Sequence, residues 1–230
     1  MGHLPSNNPA YKLIFGDEFD GNGLNPSRWK IGVPWGDVTT GEDQIYKSSA
    51  LSLNSGVLSM TASKGGSNGR SYTSGAINSD NRFEFTYGYL EARARVPSGR
   101  GLWPAIWLQT AGQGQFNEID VLEVLGQDTS ANHVNLHQDS NRWKDGVTYT
   151  GPDLSDGFHV YAVDWEPERV VWYLDGIEIY RSEGHVLANP MEVIINLTVG
   201  GQSSWSGPPD SRTHFPATFQ IDYVRVYQRR

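Results

Sequence analysis

Val170-Val171-Trp172-Tyr173-Leu174-Asp175-Gly176-Ile177-Glu178-Ile179-Tyr180 joins two runs of β-branched and aromatic residues through an Asp-Gly pair. Both central residues of a type I′ turn need positive φ, which Asp and Gly tolerate, so the stretch predicts a tight antiparallel hairpin. Outward from it the same short-strand pattern recurs. In 87–96, Leu90, Ala92, Ala94 and Val96 alternate with Tyr89, Glu91, Arg93 and Arg95, the period of a strand with one apolar face. Val57-Leu58-Ser59-Met60-Thr61-Ala62 runs into the breaker cluster Lys64-Gly65-Gly66-Ser67-Asn68-Gly69. Further strands are predicted over 103–109, 132–138, 158–165, 191–198 and 218–227. No window carries helical periodicity, and no repeat or linker stands out. About a dozen antiparallel strands must bury their apolar faces against one another, which predicts an all-β jelly-roll sandwich of two sheets.

At 230 residues the chain is long enough for a substantial core. Residues 11–230 read as a single domain, and 1–10 as an N-terminal tail or cloning remnant. The formal net charge of −8 argues against nucleic acid or an anionic membrane surface as partner. No apolar run reaches the ~18 residues of a membrane span, and the first nine residues lack the apolar centre of a signal peptide. The chain has no cysteine, so disulfides and thiolate metal sites are excluded.

The chemistry concentrates in Glu118-Ile119-Asp120-Val121-Leu122-Glu123, three carboxylates in an otherwise apolar strand-forming run. Glu118 and Asp120 share one face. In a regular strand Glu123 would point into the core with Ile119 and Val121, where an unpaired carboxylate costs several kcal/mol. One extra residue, a β-bulge at Val121-Leu122, returns Glu123 to the face of the other two acids. Three solvated surface acids are the bland alternative, yet like charges side by side without a basic partner repel. Glutamates flanking an aspartate suit acid/base and nucleophilic work on a glycosidic bond. Their backbones then lie about 13 Å apart, within reach of the ~5–5.5 Å carboxyl separation of retaining enzymes. The negative charge of Glu118 and Asp120 is expected to raise the pKa of Glu123.

Aromatic residues gather around this run. Trp103, Ala105 and Trp107 share one strand face just before it, and Trp143 follows it. Indoles stack on the apolar faces of sugar rings, so Trp103 and Trp107 are candidate platforms, with core packing as the alternative. Trp165 and Trp172 read as core or undecided. Arg93 is expected either to pair with Glu91 on the strand surface or to orient a catalytic carboxylate or a sugar hydroxyl. His137, in Asn135-Leu136-His137-Gln138, is a candidate neighbour of the acid/base. His133 and His159 show no zinc spacing, and no Ser/His/Asp order, phosphate-cradling loop or dinucleotide fingerprint is present.

With these residues in place the chain resembles glycoside hydrolase family 16, the laminarinase and lichenase family with a concanavalin-like β-jelly roll. The resemblance rests on Glu118-Ile119-Asp120-Val121-Leu122-Glu123, Asp17-Glu18-Phe19, Tyr72-Thr73-Ser74-Gly75 and Tyr87-Gly88-Tyr89-Leu90-Glu91-Ala92-Arg93. It extends to Gly101-Leu102-Trp103-Pro104-Ala105, Asn196-Leu197-Thr198-Val199-Gly200-Gly201 and Ile221-Asp222-Tyr223-Val224-Arg225-Val226-Tyr227, and so covers nearly all of 11–228. The spaced form of the acidic signature is similar to the bulged-strand branch.

The resemblance implies Glu118 as nucleophile, Asp120 as its helper and Glu123 as acid/base, with sugar contacts from Trp103, Trp107, Arg93 and His137. It implies no catalytic cofactor, but a structural calcium ion held by the carbonyls of Glu18 and Gly56 and the side chain of Asp222, a hard-oxygen set. It further implies a secreted protein acting as a monomer on a β-glucan. Two departures point toward the bacterial subgroup that includes exopolysaccharide glycanases. Ala76-Ile77 follows Tyr72-Thr73-Ser74-Gly75 where many laminarinases carry Arg, and Gly112-Gln113-Gly114-Gln115-Phe116-Asn117 replaces a Trp-Pro-x-Cys-Gly stretch. The expected activity is endo-acting, retaining hydrolysis of β-1,3- or mixed β-1,3-1,4-glucan. The alternatives are a glycanase for another polysaccharide (bacterial exopolysaccharide, agar or carrageenan), a transglycosylase, or a non-catalytic glucan-binding module.

Overall fold

A computed structural model describes Pro5 and residues 8–112, 116–138, 143–184 and 187–230. The Asp-Gly hairpin forms as its chemistry dictates. Asp175 and Gly176 take φ of 50° and 78° and join β14 (Arg169–Leu174) to β15 (Ile177–Glu183).

Seventeen strands among the described residues make two sheets. The ten-stranded sheet runs β15, β14, β13 (His159–Trp165), β8 (Gly88–Arg95), β17 (Ala217–Arg229), β5 (Val57–Lys64), β6 (Tyr72–Ser74) and β3 (Gln44–Tyr46). Within it β1 (Tyr11–Asp17) adds to β17, and β4 (Leu51–Asn54) adds to β5. The seven-stranded sheet runs β12 (Trp143–Thr150), β11 (Ala131–Gln138), β10 (Asn117–Glu123), β9 (Leu102–Thr110), β16 (Met191–Val199), β7 (Ala76–Asn78) and β2 (Lys30–Ile31). All pairings between these strands are antiparallel except β3 with β6. No helix among the described residues is long and apolar enough to cross a membrane.

The inner faces pack into one core. Leu58, Leu90, Ala94 and Val224 come from the ten-stranded sheet, and Ile106, Leu108, Ile119, Val193 and Ile195 from the seven-stranded one. Each is fully or almost fully buried, and each large apolar side chain contributes roughly 1.5–3 kcal/mol of transfer free energy. Trp165 and Trp172 lie in this core. The strands the sequence did not reveal are β1, β2, β3, β4, β6, β7 and β12. Most are too short to show a period, and β12 alternates polar residues with Trp143, Val147 and Tyr149, which pack against the core. Residues 113–115 of the departing loop lie outside the described residues.

Candidate active site

The acidic strand, β10, is third from one edge of the seven-stranded sheet, between β9 and β11. Its register against β9 runs Glu118 to Gln109 and Asp120 to Trp107, then shifts to Leu122 opposite Ile106 and Glu123 opposite Ala105. Val121 is therefore the extra residue of a bulge. Ile119 and Leu122 face the core, and Glu118, Asp120 and Glu123 all line one cleft.

A bulge interrupts ladder hydrogen bonds, and buried backbone groups need other partners. They find them in side chains. Trp172 Nε1 donates across the core to the carbonyl of Asp120 at 2.8 Å. Asn132 donates from Nδ2 to the carbonyl of Val121 at 3.4 Å and accepts the N–H of Glu123 on Oδ1 at 3.2 Å.

The cleft holds about 630 Å³ above the acids. Trp103 Nε1 donates to Glu123 Oε1 at 3.1 Å, and Asn135 Nδ2 donates to Glu123 Oε2 at 2.9 Å. His137, paired with Glu118 across β10 and β11, holds Nε2 3.6 Å from Glu118 and 3.4 Å from Asp120. It thus sits beside the first two acids rather than Glu123. Trp107 donates to Asn196 Oδ1 at 2.8 Å. Two exposed indoles flank the pair. Trp35 tilts against Trp107 at 5.9 Å, and Trp205 stands edge-on to Trp103 at 5.4 Å.

Trp103, Trp107 and His137 thus come together with the three acids, whereas Trp143 packs toward the core. Sequence reasoning missed Trp35, Trp205, Glu42, Tyr46, Asn135 and Thr198 as lining residues. For Trp35 and Trp205 a signal existed: each indole stands in a turn-rich stretch, Val33-Pro34-Trp35-Gly36 and Ser204-Trp205-Ser206-Gly207, with no strand to bury it.

Arg93 is a correction. It lies on β8 of the opposite sheet, where Nη1 pairs with Asp222 at 2.6 Å and the guanidinium sits 4.8 Å over Phe158. It is absent from the cleft lining. Nor does it pair with Glu91, which is buried and bound by Arg225 at 3.4 Å. Period two reveals which face a residue takes, and it is silent on which sheet the strand joins.

Burial governs the proton affinities of the acids. It pushes Glu118 up to about 7, the charge of Glu123 adding and His137 opposing. Asp120 is held well above the usual carboxylate range by burial and then by Glu118. Glu123 is likewise raised, first by burial and second by Asp120, while hydrogen bonds from Asn135 and Trp103 pull it back. The expected charge repulsion is present, but desolvation outweighs it.

The residues named for calcium meet at one corner of the ten-stranded sheet. A Cβ on Gly56 would lie 3.7 Å from the Glu18 carbonyl oxygen and 3.3 Å from Asp20 Oδ1. The pairings of Ile221 with Leu58 and of Val224 with Asp17 bring Asp222 to the same corner. The Glu18 carboxylate itself is taken by Arg225 at 2.7 and 2.8 Å, leaving its carbonyl. This all-oxygen set fits a hard cation, with Asp222 shared with Arg93.

Carboxylates on the floor of an indole-lined cleft, carried by a β-sandwich, define a glycoside hydrolase. Residues 36–225 match the family described as Glycosyl hydrolases family 16, and the chain belongs to that family. It is 34% identical to a beta-glucanase of Rhodothermus marinus over 96% of this chain and 86% of that protein. It is 35% identical to the endo-1,3-1,4-beta-glycanase ExsH of Rhizobium meliloti (strain 1021) over 77% of this chain, and spans 39% of that longer protein. The laminarinase catalytic domain from Thermotoga maritima MSB8 superposes with a TM-score of 0.85 at 30% identity, covering 96% of this chain and 99% of that one.

Proposed function

We propose that the chain is an endo-acting, retaining hydrolase of β-1,3- or mixed β-1,3-1,4-glucan. The observation that carries the reading is the bulge at Val121, which puts both glutamates and the aspartate on one cleft face. Glu118 attacks the anomeric carbon while Glu123 protonates the departing glycosidic oxygen. Asp120 lies between them and shares protons with Glu118. Once Glu118 is esterified by the sugar its charge is gone, and Glu123 accepts a proton from the incoming water, releasing a product of retained configuration. The proton affinities support this division: Glu118, at about 7, supplies the ionised nucleophile, and burial, then the charge of Asp120, favours the proton on Glu123. Activity should therefore fall as pH drops through about 7, where Glu118 becomes protonated.

Endo action is supported by the two exposed indoles, Trp35 and Trp205, which extend stacking surface to both sides of the acids. The names of the relatives support the linkage. A non-catalytic module is disfavoured because all three acids stand together in the cleft, whereas transglycosylation would use the same covalent intermediate. Secretion is proposed from the kind of polymer such a cleft accepts, and calcium from the oxygen corner of Glu18, Gly56 and Asp222.

An activated aryl β-glucoside with azide tests the mechanism. Glu123→Ala should still be glycosylated and give the β-glycosyl azide, and Glu118→Ala should give the α-glycosyl azide. An inverted product from the unmodified enzyme would sink both assignments.

A further inference from the structure

Strand β11 meets the bulge with two asparagines, one from each of its faces. Asn132 is 1% exposed and points inward. Its amide bridges the carbonyl of Val121 and the N–H of Glu123, the two groups that the bulge strips of β-ladder partners. The regular pairing of β10 with β11 ends at Asp120 opposite Asn135, so no ladder bond replaces this bridge. Asn135 points into the cleft, where its Nδ2 donates to Glu123 Oε2 at 2.9 Å. Opposite it on β12 stands Gly146, where a Cβ would lie 2.7 Å from Asn135 Oδ1 and 2.3 Å from the carbonyl of Val134. The neighbouring strand thus leaves out a side chain where Asn135 needs the space.

We propose that Asn132 and Asn135 are positioning residues for Glu123, the first fixing the backbone of the bulge and the second fixing the carboxylate. The proposal rests on the reading of Glu123 as acid/base. Without the Asn132 bridge, the Val121 carbonyl and the Glu123 N–H lose the one side-chain partner they have among the described residues. The local strand is then free to relax toward regular pairing, which turns Glu123 toward the core. Without Asn135, Glu123 keeps the Trp103 bond on Oε1 and loses the one on Oε2, so its carboxylate rotates. Losing a donor also favours the protonated form.

The two roles predict different signatures. Asn132→Ala should lower kcat on polymeric glucan on the order of 100-fold, the cost of a small displacement of a catalytic group. It should spare glycosylation from an aryl glycoside whose leaving group needs no proton. Asn135→Ala should move the alkaline limb of kcat/KM upward, because Glu123 then holds its proton to higher pH. If Asn132→Ala does not fold, Asn132→Asp, which keeps the acceptor for the Glu123 N–H, carries the same comparison of substrates. Equal losses on both substrates from the Asn132 variant, with an unmoved alkaline limb from Asn135→Ala, would overturn the proposal. Glu123→Gln is run alongside. Full activity of that variant on glucan would refute the acid/base reading itself, whereas its failure beside silent asparagine variants would refute only the positioning.

Discussion

Trp172→Phe isolates the link between the core and the acidic strand. The Trp172 side chain is fully buried on β14 of the ten-stranded sheet, and its indole N–H crosses the sandwich to the Asp120 carbonyl at 2.8 Å. Phenylalanine keeps most of the apolar body and removes the donor. The carbonyl is then left buried without that partner, a cost of about 1–3 kcal/mol. The smaller ring leaves a void beside Tyr180, whose ring centroid lies 5.6 Å away, and this adds about 1–2 kcal/mol. The sum is about 2–5 kcal/mol. For a chain of this length each kcal/mol lowers Tm by roughly 2–4 °C, so a drop of about 4–20 °C is expected. Urea unfolding at 25 °C measures the free energy with the slope unchanged, and kcat is measured under the same conditions, where the variant remains folded. It should also fall, because the Asp120 backbone has lost its anchor. A loss below about 1 kcal/mol with kcat intact would refute the claim that this bond holds the bulge.

Glu192, 2% exposed, has an Oε2 without a hydrogen-bond partner among the described residues, and burial, then Asp80, pushes it up to about 7. Between its usual 4.5 and 7 the folded chain keeps a proton that the unfolded chain has released, so this group lowers stability as pH rises through that window. Glu192→Gln should therefore match the parent in calorimetry at pH 4 and exceed it by about 3 kcal/mol at pH 8; parallel curves would contradict the shift. A chelator should lower Tm if the corner of Glu18, Gly56 and Asp222 holds calcium, while leaving activity at low temperature unchanged; an unaltered melting curve removes the ion. Arg93→Ala should leave kcat and KM on glucan within twofold and cost about 0–1 kcal/mol, as a half-exposed ion pair does. A large rise in KM would return Arg93 to the substrate.

What the sequence made legible is what local physics determines. The Asp175-Gly176 turn and the alternation in β8 follow from φ preference and side-chain period, and both appear where they were read. The bulge was legible for an electrostatic reason: only an extra residue keeps Glu123 out of the core. Sheet membership is a property of the whole topology, so Arg93, on a strand that alternates as an active-site strand would, belongs to the far sheet. The indoles of Trp35 and Trp205 reach the cleft from loops, where no period exists to place them. The order of the causes raising Glu123 was also hidden, because how deeply a carboxylate is buried depends on neighbours that come from other strands.

The bulge ties stability to chemistry through one set of bonds. Burial raises all three acids, and as at Glu192 each raised carboxylate makes the fold less stable as pH rises toward its folded-state pKa. The same burial favours a proton on Glu123 and pushes Glu118 up to about 7. Two amides and two indoles hold this arrangement. Asn132 and Trp172 satisfy the backbone, and Asn135 and Trp103 satisfy the carboxylate. The donors come from β11, β14 and β9, strands of both sheets, so the acids hold their places only when the sandwich has closed. A site built this way is a product of the finished core, and a change at Trp172 on the inner side of β14 reaches the Asp120 backbone through one hydrogen bond.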